Sequence, residues 1–386
     1  MIPRAIQSAL QARATKQPVV TVTGPRQSGK TTLCRQTFPG MAYVNLERPD
    51  LRAFATDDPR GFLANYPDGA ILDEIQRVPS LLSWIQVDVD ERRQMGRYIL
   101  TGSQQFELNR HIAQSLAGRT ALLHLLPLSV AELCVAGEVA DIDSLILSGG
   151  YPRIHADALD PATALADYFE TYVQRDLREL VQIRNLALFE KFVRLAAGRV
   201  GQLLNMQSLA ADVGVSGHTA AAWLSLLEAS YIVFRLPPWF ENLGKRLVKS
   251  PKLYFYDTGL AAWLVGMTRR EHLPSHPLRG HLFENLAVLE FLKAYFNRGE
   301  RPNLHFYRDS GGNEADLVLE DGRQLHLVEI KSAATVSSDA MRPIANIRRA
   351  LGERVAAATL VYSGSEAQKR SDFSVIGVAM ISAMIG

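Results

Sequence analysis

The sequence has few of the features that define several classes of protein. It contains only two cysteines among 386 residues, Cys34 and Cys134, which excludes a disulfide framework and a cysteine-based zinc site. No stretch reaches the roughly 18 uninterrupted apolar residues that a membrane span requires. Polar side chains interrupt the segment from Met1 to Pro18, so we expect no signal peptide. These absences together predict a cytoplasmic protein with no membrane segment.

The chain also has no large excess of one charge. It has 42 lysines and arginines and 40 aspartates and glutamates, a formal net charge of +2. Any contact with nucleic acid must therefore come from a local basic patch. The sequence offers one candidate cluster, which we expect to contact DNA phosphates in a salt-sensitive way. The cluster consists of Lys245, Arg246, Lys249 and Lys252.

The pattern of apolar runs predicts four segments. Residues 1–150 alternate short apolar runs with longer helical patterns, as parallel α/β units do, and they end at the turn Gly149–Pro152. The apolar runs predict four strands, at 19–23, 42–46, 70–72 and 97–101. Residues 151–204 have the pattern of a helical connector, with one helix predicted from Pro161 to about Val181. Residues 205–275 give helix, tight turn, helix and two strand-like runs, which is the outline of a winged helix. Residues 276–386 return to an α/β pattern.

The strongest motif follows the first apolar strand and precedes a helical segment. It reads Gly24, Pro25, Arg26, Gln27, Ser28, Gly29, Lys30, Thr31 and fits the phosphate-binding pattern G-x-x-x-x-G-K-[ST]. In such a loop the backbone N–H groups surround the phosphates of ATP. Lys30 would reach the β- and γ-phosphates, and the Thr31 hydroxyl would bind Mg²⁺. We count the next residue, Thr32, with the nucleotide-binding residues, and we expect Cys34 to be a packing residue.

Residues on other strands complete the predicted ATP site. An apolar run ends in Asp73 and Glu74, which places Asp73 near the metal and lets Glu74 polarise an attacking water. This pair favours hydrolysis over transfer to a small acceptor. Ser103 is either a sensor of the γ-phosphate or a plain turn serine. Arg119 is either an arginine finger that completes a neighbour's site in a homo-oligomer, or a surface residue in an internal salt bridge.

Acidic residues near the carboxyl end suggest a second site. Asp316 and Glu329 lie on neighbouring predicted strands, and two such carboxylates make an oxygen site suited to Mg²⁺. Lys331 would position or deprotonate an attacking water, while the ion would stabilise charge on a phosphodiester. Glu284, on the preceding amphipathic helix, is a candidate fourth member. The alternative is a solvated strand face with no chemistry.

These motifs in this order resemble a family of bacterial and archaeal AAA-type ATPases with a C-terminal domain of unknown function. The resemblance rests on GPRQSGKTT at 24–32, ILDEIQ at 71–76, YILTGSQ at 98–104, LAGRT at 116–120, LPLSVAEL at 126–133, GGYP at 149–152, TYVQRDL at 171–177, KSPKLYFYDTGLAAWL at 249–264, HLFEN at 281–285, NEADLVL and VEIK. It implies a P-loop AAA-type sheet domain, a winged-helix segment in the middle and a C-terminal PD-(D/E)xK nuclease-like fold. By this resemblance Glu284, Asp316, Glu329 and Lys331 are the helix acid, the two metal ligands and the lysine.

The sequence therefore leads to two hypotheses about function. In the first, an ATP-hydrolysing AAA-type protein uses its nucleotide state to control a Mg²⁺-dependent nuclease-like domain that acts on DNA. In the second, the chain is an ATP-dependent switch that binds DNA or a protein partner, and the nuclease fold is catalytically silent. A structural or oligomer-forming winged helix is an alternative to a DNA-binding one, because the predicted recognition helix 216–229 is rich in alanine.

Overall fold

The computed structural model describes residues 2–103, 115–137, 141–176, 185–240, 250–337 and 339–385. The first unit contains a five-stranded sheet in which all neighbouring strands are parallel, in the order β2-β3-β4-β1-β5. This confirms the parallel sheet predicted for the first 150 residues and adds a fifth strand that was not predicted. The strands are β1 Val19–Thr23, β2 Ala42–Asn45, β3 Ala70–Asp73, β4 Tyr98–Gly102 and β5 Thr120–His124.

Helices cover both faces of this sheet because successive side chains of its strands alternate between two apolar clusters. Val20 and Val22 pack with Leu33 on one face, whereas Val19 packs with Ile85 on the other. Strands buried on both faces are typical of parallel sheets. The helices of this unit are α1 Gln7–Ala14, α2 Lys30–Thr37, α3 Pro49–Asp57, α4 Pro59–Ala64 and α5 Leu81–Arg92.

The middle of the chain is mainly helical. Its helices are α6 Val130–Val135, α7 Ile142–Ser148, α8 Pro152–Ala156, α9 Pro161–Tyr168, α10 Leu186–Ala197, α11 Met206–Val213, α12 Gly217–Ala229 and α13 Thr258–Leu264. The helix predicted from Pro161 to about Val181 is α-helical only to Tyr168 and continues as a π-helical segment over Phe169–Asp176. The remainder of that predicted helix lies outside the described residues.

The predicted order of helix, turn, helix and two strands is present after residue 205. Ser216 caps α12 by accepting a hydrogen bond from the Thr219 N–H. The strands β6 Val233–Leu236 and β7 Lys252–Phe255 pair antiparallel. The inner face of α12 is buried at Trp223 among other apolar residues, and its outer face exposes His218, Ala221, Ala222 and Ser225. The exposed face therefore carries little that could read base edges, and the winged-helix interpretation stays a prediction.

The last part of the chain is a mixed six-stranded sheet with the order β12-β13-β11-β10-β9-β8. Val328 and Ile330 pack toward helix α14, whereas Leu325 and Leu327 belong to a cluster with helix α15. The strands are β8 Leu304–Arg308, β9 Glu314–Asp321, β10 Gln324–Lys331, β11 Val355–Tyr362, β12 Gln368–Lys369 and β13 Ser374–Gly377. The helices are α14 Arg279–Asn297, α15 Arg342–Leu351 and α16 Ile381–Ile385.

One apolar cluster joins the middle segment to the C-terminal sheet, whereas the parallel sheet packs within two clusters of its own. A single cluster of buried side chains runs from Leu126 through the middle helices to Ile381. Short 3₁₀ turns join the larger elements at Ile75–Arg77, Arg270–Ser275, Gly352–Arg354 and Val378–Met380. Within the described ranges, every helix is too short or too polar to cross a bilayer.

Candidate functional site

The phosphate-binding loop occupies the turn between β1 and α2. Its backbone takes positive φ angles at Gly24 (154°), Gln27 (62°) and Gly29 (90°). A Cβ atom at Gly24 would lie 2.0 Å from the Leu125 carbonyl oxygen, so only glycine fits there. The loop leads directly into α2, where helix N-terminal N–H groups favour an anion. The local geometry is that of a phosphate cradle.

Lys30 lies inside this loop. Its Nζ atom donates hydrogen bonds to the carbonyl oxygens of Gly24, at 3.0 Å, and Pro25, at 2.7 Å. Burial favours the neutral amine and lowers the pKa of Lys30 to about 8. An anionic phosphate would reverse that effect. Thr32, the next nucleotide-binding candidate after Thr31, is exposed on the first turn of α2.

Thr31 and Asp73, the two predicted Mg²⁺ ligands, are in direct contact. The Thr31 hydroxyl donates to the Asp73 carboxylate and lies 3.0 Å from each of its oxygens. Asp73 is buried at the end of β3 and also accepts hydrogen bonds from Tyr43 Oη, at 2.7 Å, and from the Thr101 hydroxyl. A hydroxyl and a carboxylate are ligands that suit Mg²⁺. No group of three or more His, Cys, Asp or Glu side chains in the described ranges is arranged to hold a metal ion, so phosphates and water would complete the coordination.

Glu74 and Ser103 also come together. The Ser103 hydroxyl donates to Glu74 Oε2 at 3.1 Å, and the Gln76 amide donates to the same oxygen. Glu74 adopts a left-handed backbone conformation with φ of 58°, which is strained for a residue with a side chain. Gln76 was not among the site residues predicted from the sequence, although its position two residues after Glu74 could have indicated that the two side chains are neighbours.

Arg4 braces the loop and was also missed. Its guanidinium donates to the carbonyl oxygens of Ser28 and Leu126, each at 2.6 Å, and pairs with Glu132 at 3.1 Å. These partners are distant in sequence, so no local pattern could have indicated the contact. Arg26, in contrast, places its guanidinium over the ring of Tyr172 at 5.3 Å.

The strand that leads into the loop is tied to the middle of the chain. Tyr231 Oη lies 2.8 Å from the Thr23 hydroxyl and 2.9 Å from His124 Nδ1. Thr23 immediately precedes Gly24, so this contact reaches the start of the phosphate cradle. Cys34 lies nearby in the apolar cluster, where burial raises the pKa of its thiol to about 12. That environment confirms the packing role predicted for Cys34.

Arg119 makes an internal ion pair. Its Nε and Nη2 atoms lie 2.6 and 2.8 Å from the two carboxylate oxygens of Asp90. Arg119 precedes β5, which runs parallel to β1. It therefore lies at the amino-terminal ends of the strands, whereas the phosphate loop of the same chain lies at their carboxyl ends. Within one chain the salt-bridge alternative is the one present. An action on a neighbouring chain stays a prediction.

The predicted C-terminal residues converge at the middle of the mixed sheet. Asp316 Oδ2 accepts a hydrogen bond from the Ile330 N–H at 2.8 Å, next to Glu329. Lys331 Nζ lies 2.6 Å from Glu329 Oε1. Glu329 is only 4% exposed, and its Oε2 atom has no hydrogen-bond partner among the described residues. Burial, together with the charges of Glu284 and Glu329, raises the pKa of Asp316 well above its ordinary value.

Lys252 requires a correction. We predicted a DNA-phosphate contact, but Lys252 is buried and lies 2.9 Å from Glu284, 2.7 Å from Glu314 and 3.6 Å from Asp316. The prediction was wrong because Lys252 begins a fully buried strand and points inward with Tyr254, whose hydroxyl donates to Glu284 at 2.6 Å.

The other three residues of the predicted DNA-contact cluster cannot be compared with the structure in the same way. Lys245, Arg246 and Lys249 lie outside the described residues, so their predicted DNA contact stays a prediction. Glu314 was missed as a partner of Lys252. The alternation of Glu314, Ala315 and Asp316 on a strand could have indicated that Glu314 and Asp316 share a face.

Comparison with known families defines the class of protein. Residues 16–134 match the family described as an AAA domain, residues 139–271 match a domain of unknown function (DUF8612), and residues 279–381 match a domain of unknown function (DUF4143). The first unit is therefore an AAA domain with a phosphate-binding loop, as expected of proteins that bind ATP. The resemblance noted in the sequence is confirmed for the AAA domain and for the C-terminal domain of unknown function. The nuclease-like and winged-helix assignments stay predictions.

Relatives extend this match to nearly the whole chain. An uncharacterized protein of Mycobacterium tuberculosis is 34% identical over 364 residues, which cover 92% of this chain and 79% of that one. The chain belongs to the same family as that protein. An uncharacterized protein of Methanocaldococcus jannaschii is 21% identical over 85% of this chain and 77% of its own length.

Solved structures are more distant. The Walker-type ATPase of Pyrococcus abyssi is 15% identical and aligns with a TM-score of 0.43 over 67% of this chain and 94% of its own. AMPPCP-bound DnaA from Aquifex aeolicus is 12% identical, with a TM-score of 0.31 over 58% of this chain and 85% of its own.

Proposed function

We propose that this chain hydrolyses ATP with Mg²⁺ at the loop of residues 24–31. The observation that carries the proposal is the contact of the Thr31 hydroxyl with both Asp73 oxygens beside the buried Lys30 ammonium. Thr31 and Asp73 would hold Mg²⁺, which neutralises charge on the phosphates. Lys30 would exchange its loop carbonyl partners for phosphate oxygens, and the loop backbone would bind the remaining charge.

Glu74 is the proposed general base. Its carboxylate would accept a proton from the attacking water, whose oxygen bonds to the γ-phosphorus as the bond to the β–γ bridging oxygen breaks. Ser103 and Gln76 would orient this carboxylate, since both donate to Oε2 and leave Oε1 for the water. This assigns hydrolysis to the pair of acidic residues at the end of β3, and binding to the loop.

Two substitutions separate binding from chemistry. Lys30→Ala should abolish ATP turnover and nucleotide binding, measured by phosphate release and calorimetry, whereas the exposed Lys16→Ala in the same domain is the matched control. Glu74→Gln should retain ATP binding and lower kcat about 10²–10⁴-fold, which is the usual contribution of a general base. Undiminished ATP turnover by the Lys30 variant would refute the assignment.

We also propose that the protein acts as a homo-oligomer in which Arg119 reaches the nucleotide of a neighbouring chain. The partly exposed Arg119–Asp90 pair supports this, because such a pair costs little to exchange for a phosphate. Arg119→Ala should lower kcat, while Asp90→Ala should preserve it, since it removes only the internal partner. Specific activity should rise with protein concentration. Equal losses in both variants with flat specific activity would leave Arg119 as a structural residue.

For the C-terminal domain we propose a Mg²⁺-dependent nuclease-like site that acts on DNA under control of the ATP state. Its support is the convergence of Asp316, Glu329 and Lys331 and the unpartnered, buried Glu329 Oε2. Asp316 and Glu329 would hold the ion, which stabilises charge on a phosphodiester. Lys331 would position the water, and Glu284 would act through Lys252 rather than as a ligand.

A DNA assay distinguishes this site from a silent one. Wild-type protein should cleave plasmid or single-stranded DNA with Mg²⁺, and Asp316→Ala should not. Binding of DNA without cleavage in both proteins favours the alternative, an ATP-dependent switch that uses the fold as a binding surface. Replacing Lys245, Arg246 and Lys249 together by alanine should weaken DNA binding and reduce its salt dependence. Unchanged affinity would eliminate that surface.

A further inference from the structure

Lys252 supplies a positive charge inside the C-terminal carboxylate cluster, which we define as Glu284, Glu314, Asp316 and Glu329. Its ammonium contacts three of these four carboxylates, from 2.7 to 3.6 Å. The side chain is only 5% exposed. A lysine this deeply buried is held there by charge pairing, because an unpaired buried ammonium is costly.

The segment that carries Lys252 is fixed to the same helix as Glu284. The Phe255 N–H donates to Asn285 Oδ1 at 2.7 Å, and Asn285 Nδ2 donates back to the Phe255 carbonyl at 3.0 Å. Tyr254, on the same strand, donates its hydroxyl to Glu284. Backbone bonds from Gly201 and to Gln202 hold the other side of the strand at Leu253. Lys252 is thus a resident group and not a side chain that swings in from solvent.

The charge balance of the cluster leaves room for a single divalent ion. When all four carboxylates are ionised they carry four negative charges. Lys252 and Lys331 contribute two positive charges and Arg308, 3.6 Å from Glu314, contributes a third, so one negative charge remains. Lys252 occupies one oxygen each of Glu284 and Glu314. Glu329 Oε2 is a buried oxygen of the cluster with no hydrogen-bond partner among the described residues, and the Glu329 charge is close enough to Asp316 to help raise the pKa of Asp316. The described residues contain no group of three or more His, Cys, Asp or Glu side chains arranged to hold a metal ion, so an ion at Asp316 and Glu329 would take its other ligands from water.

We propose that Lys252 permanently occupies the position of a second cation and limits this site to one divalent ion, held at Asp316 and Glu329. The inference deepens the proposed nuclease-like function and rests on its metal site. Lys252 is thereby a positioning residue that fixes the number of metal ions, while Glu284 and Glu314 are its ligands and not the metal's.

The test counts Mn²⁺ bound to the full-length protein without nucleotide, by calorimetry and by the electron paramagnetic resonance signal of free Mn²⁺. Wild type should bind one ion, and Asp316→Asn should lose it. Lys252→Met keeps the side-chain length but removes the charge, so it should bind one ion more than wild type. Lys252→Arg keeps the charge and should match wild type. Equal counts for Lys252→Met and wild type would overturn the inference.

A second measurement uses the wild type alone, in case Lys252→Met does not fold. Acetylation of lysines followed by mass spectrometry should leave Lys252 unmodified with and without Mn²⁺, while the exposed Lys16 reacts in both conditions. Exposure of Lys252 when Mn²⁺ is added would mean that the ion displaces it, which contradicts permanent occupancy. Failure of the proposed metal site in the wild type would give a different ion count: wild type would bind no Mn²⁺, and Lys252→Met would bind one.

Discussion

Helix α14 contains a buried ion pair whose two members both hydrogen-bond to the backbone of the AAA domain, and its disruption should be strongly destabilising. Lys293 Nζ lies 2.9 Å from Glu290 Oε1 and donates to the Leu128 carbonyl at 2.7 Å. Glu290 Oε2 accepts the Val130 N–H at 2.8 Å. Both side chains are about 4% exposed. Lys293→Met keeps the aliphatic volume but leaves the Glu290 charge uncompensated, which costs about 3–5 kcal/mol of unfolding free energy.

The double variant Glu290→Gln with Lys293→Met separates charge from packing. A glutamine oxygen can still accept the Val130 N–H, and no buried charge is left uncompensated. The double variant therefore loses the ion pair as a whole and leaves the Leu128 carbonyl without its lysine donor, a cost of about 1–3 kcal/mol. Urea unfolding at pH 7, followed by circular dichroism, gives the free energies of all four proteins in the cycle. The reasoning is refuted if Lys293→Met loses less than about 1 kcal/mol, or if the double variant is no more stable than the single one.

Three further predictions concern the AAA domain. Burial lowers the pKa of His124 to about 4, so the unfolded chain binds more protons between pH 6.5 and 4, and stability falls as pH falls. From pH 7 to 5 the wild type should lose about 2 kcal/mol more than His124→Gln, and equal losses in urea unfolding would contradict this. Tyr231→Phe should cost only about 1 kcal/mol, since Thr23 and His124 remain 3.0 Å apart and satisfy each other; a loss above about 3 kcal/mol in the same assay would exclude that compensation. Gln76→Ala should lower kcat for ATP with little change in KM, and a change confined to KM would assign Gln76 to binding.

The sequence predicted local features well because their causes are local. The phosphate loop needs glycines at fixed positions, and Gly24 has no space for a side chain. The apolar run before Asp73 specifies a buried strand whose end must reach the loop, because neighbouring parallel strands finish at the same edge. Arg4 and Tyr231 contribute equally close contacts to this region, but each partner is remote in sequence, so no spacing rule could predict them.

The error at Lys252 has a physical cause that applies to other sequences. Four basic residues between 245 and 252 suggest one exposed surface, yet a strand sends alternate side chains to opposite faces. Lys252 opens a strand in which all four residues are buried, and the apolar character of Leu253, Tyr254 and Phe255 was a signal that this strand is internal. Charge clustering along a sequence therefore predicts a surface only where the local pattern predicts exposure.

The position of Lys252 also bears on the division of the chain into domains. A boundary after residue 275 separates Lys252 and Tyr254 from Glu284, although the three side chains form one hydrogen-bonded group. The same core cluster passes through that boundary without interruption. The predicted C-terminal unit therefore lacks the cation that balances its own carboxylates, and an excised fragment would hold four acidic side chains with Lys331 as the remaining lysine of the cluster. The carboxylate cluster therefore needs both the middle segment and the C-terminal unit, because the lysine that balances its charge lies on a strand of the middle segment.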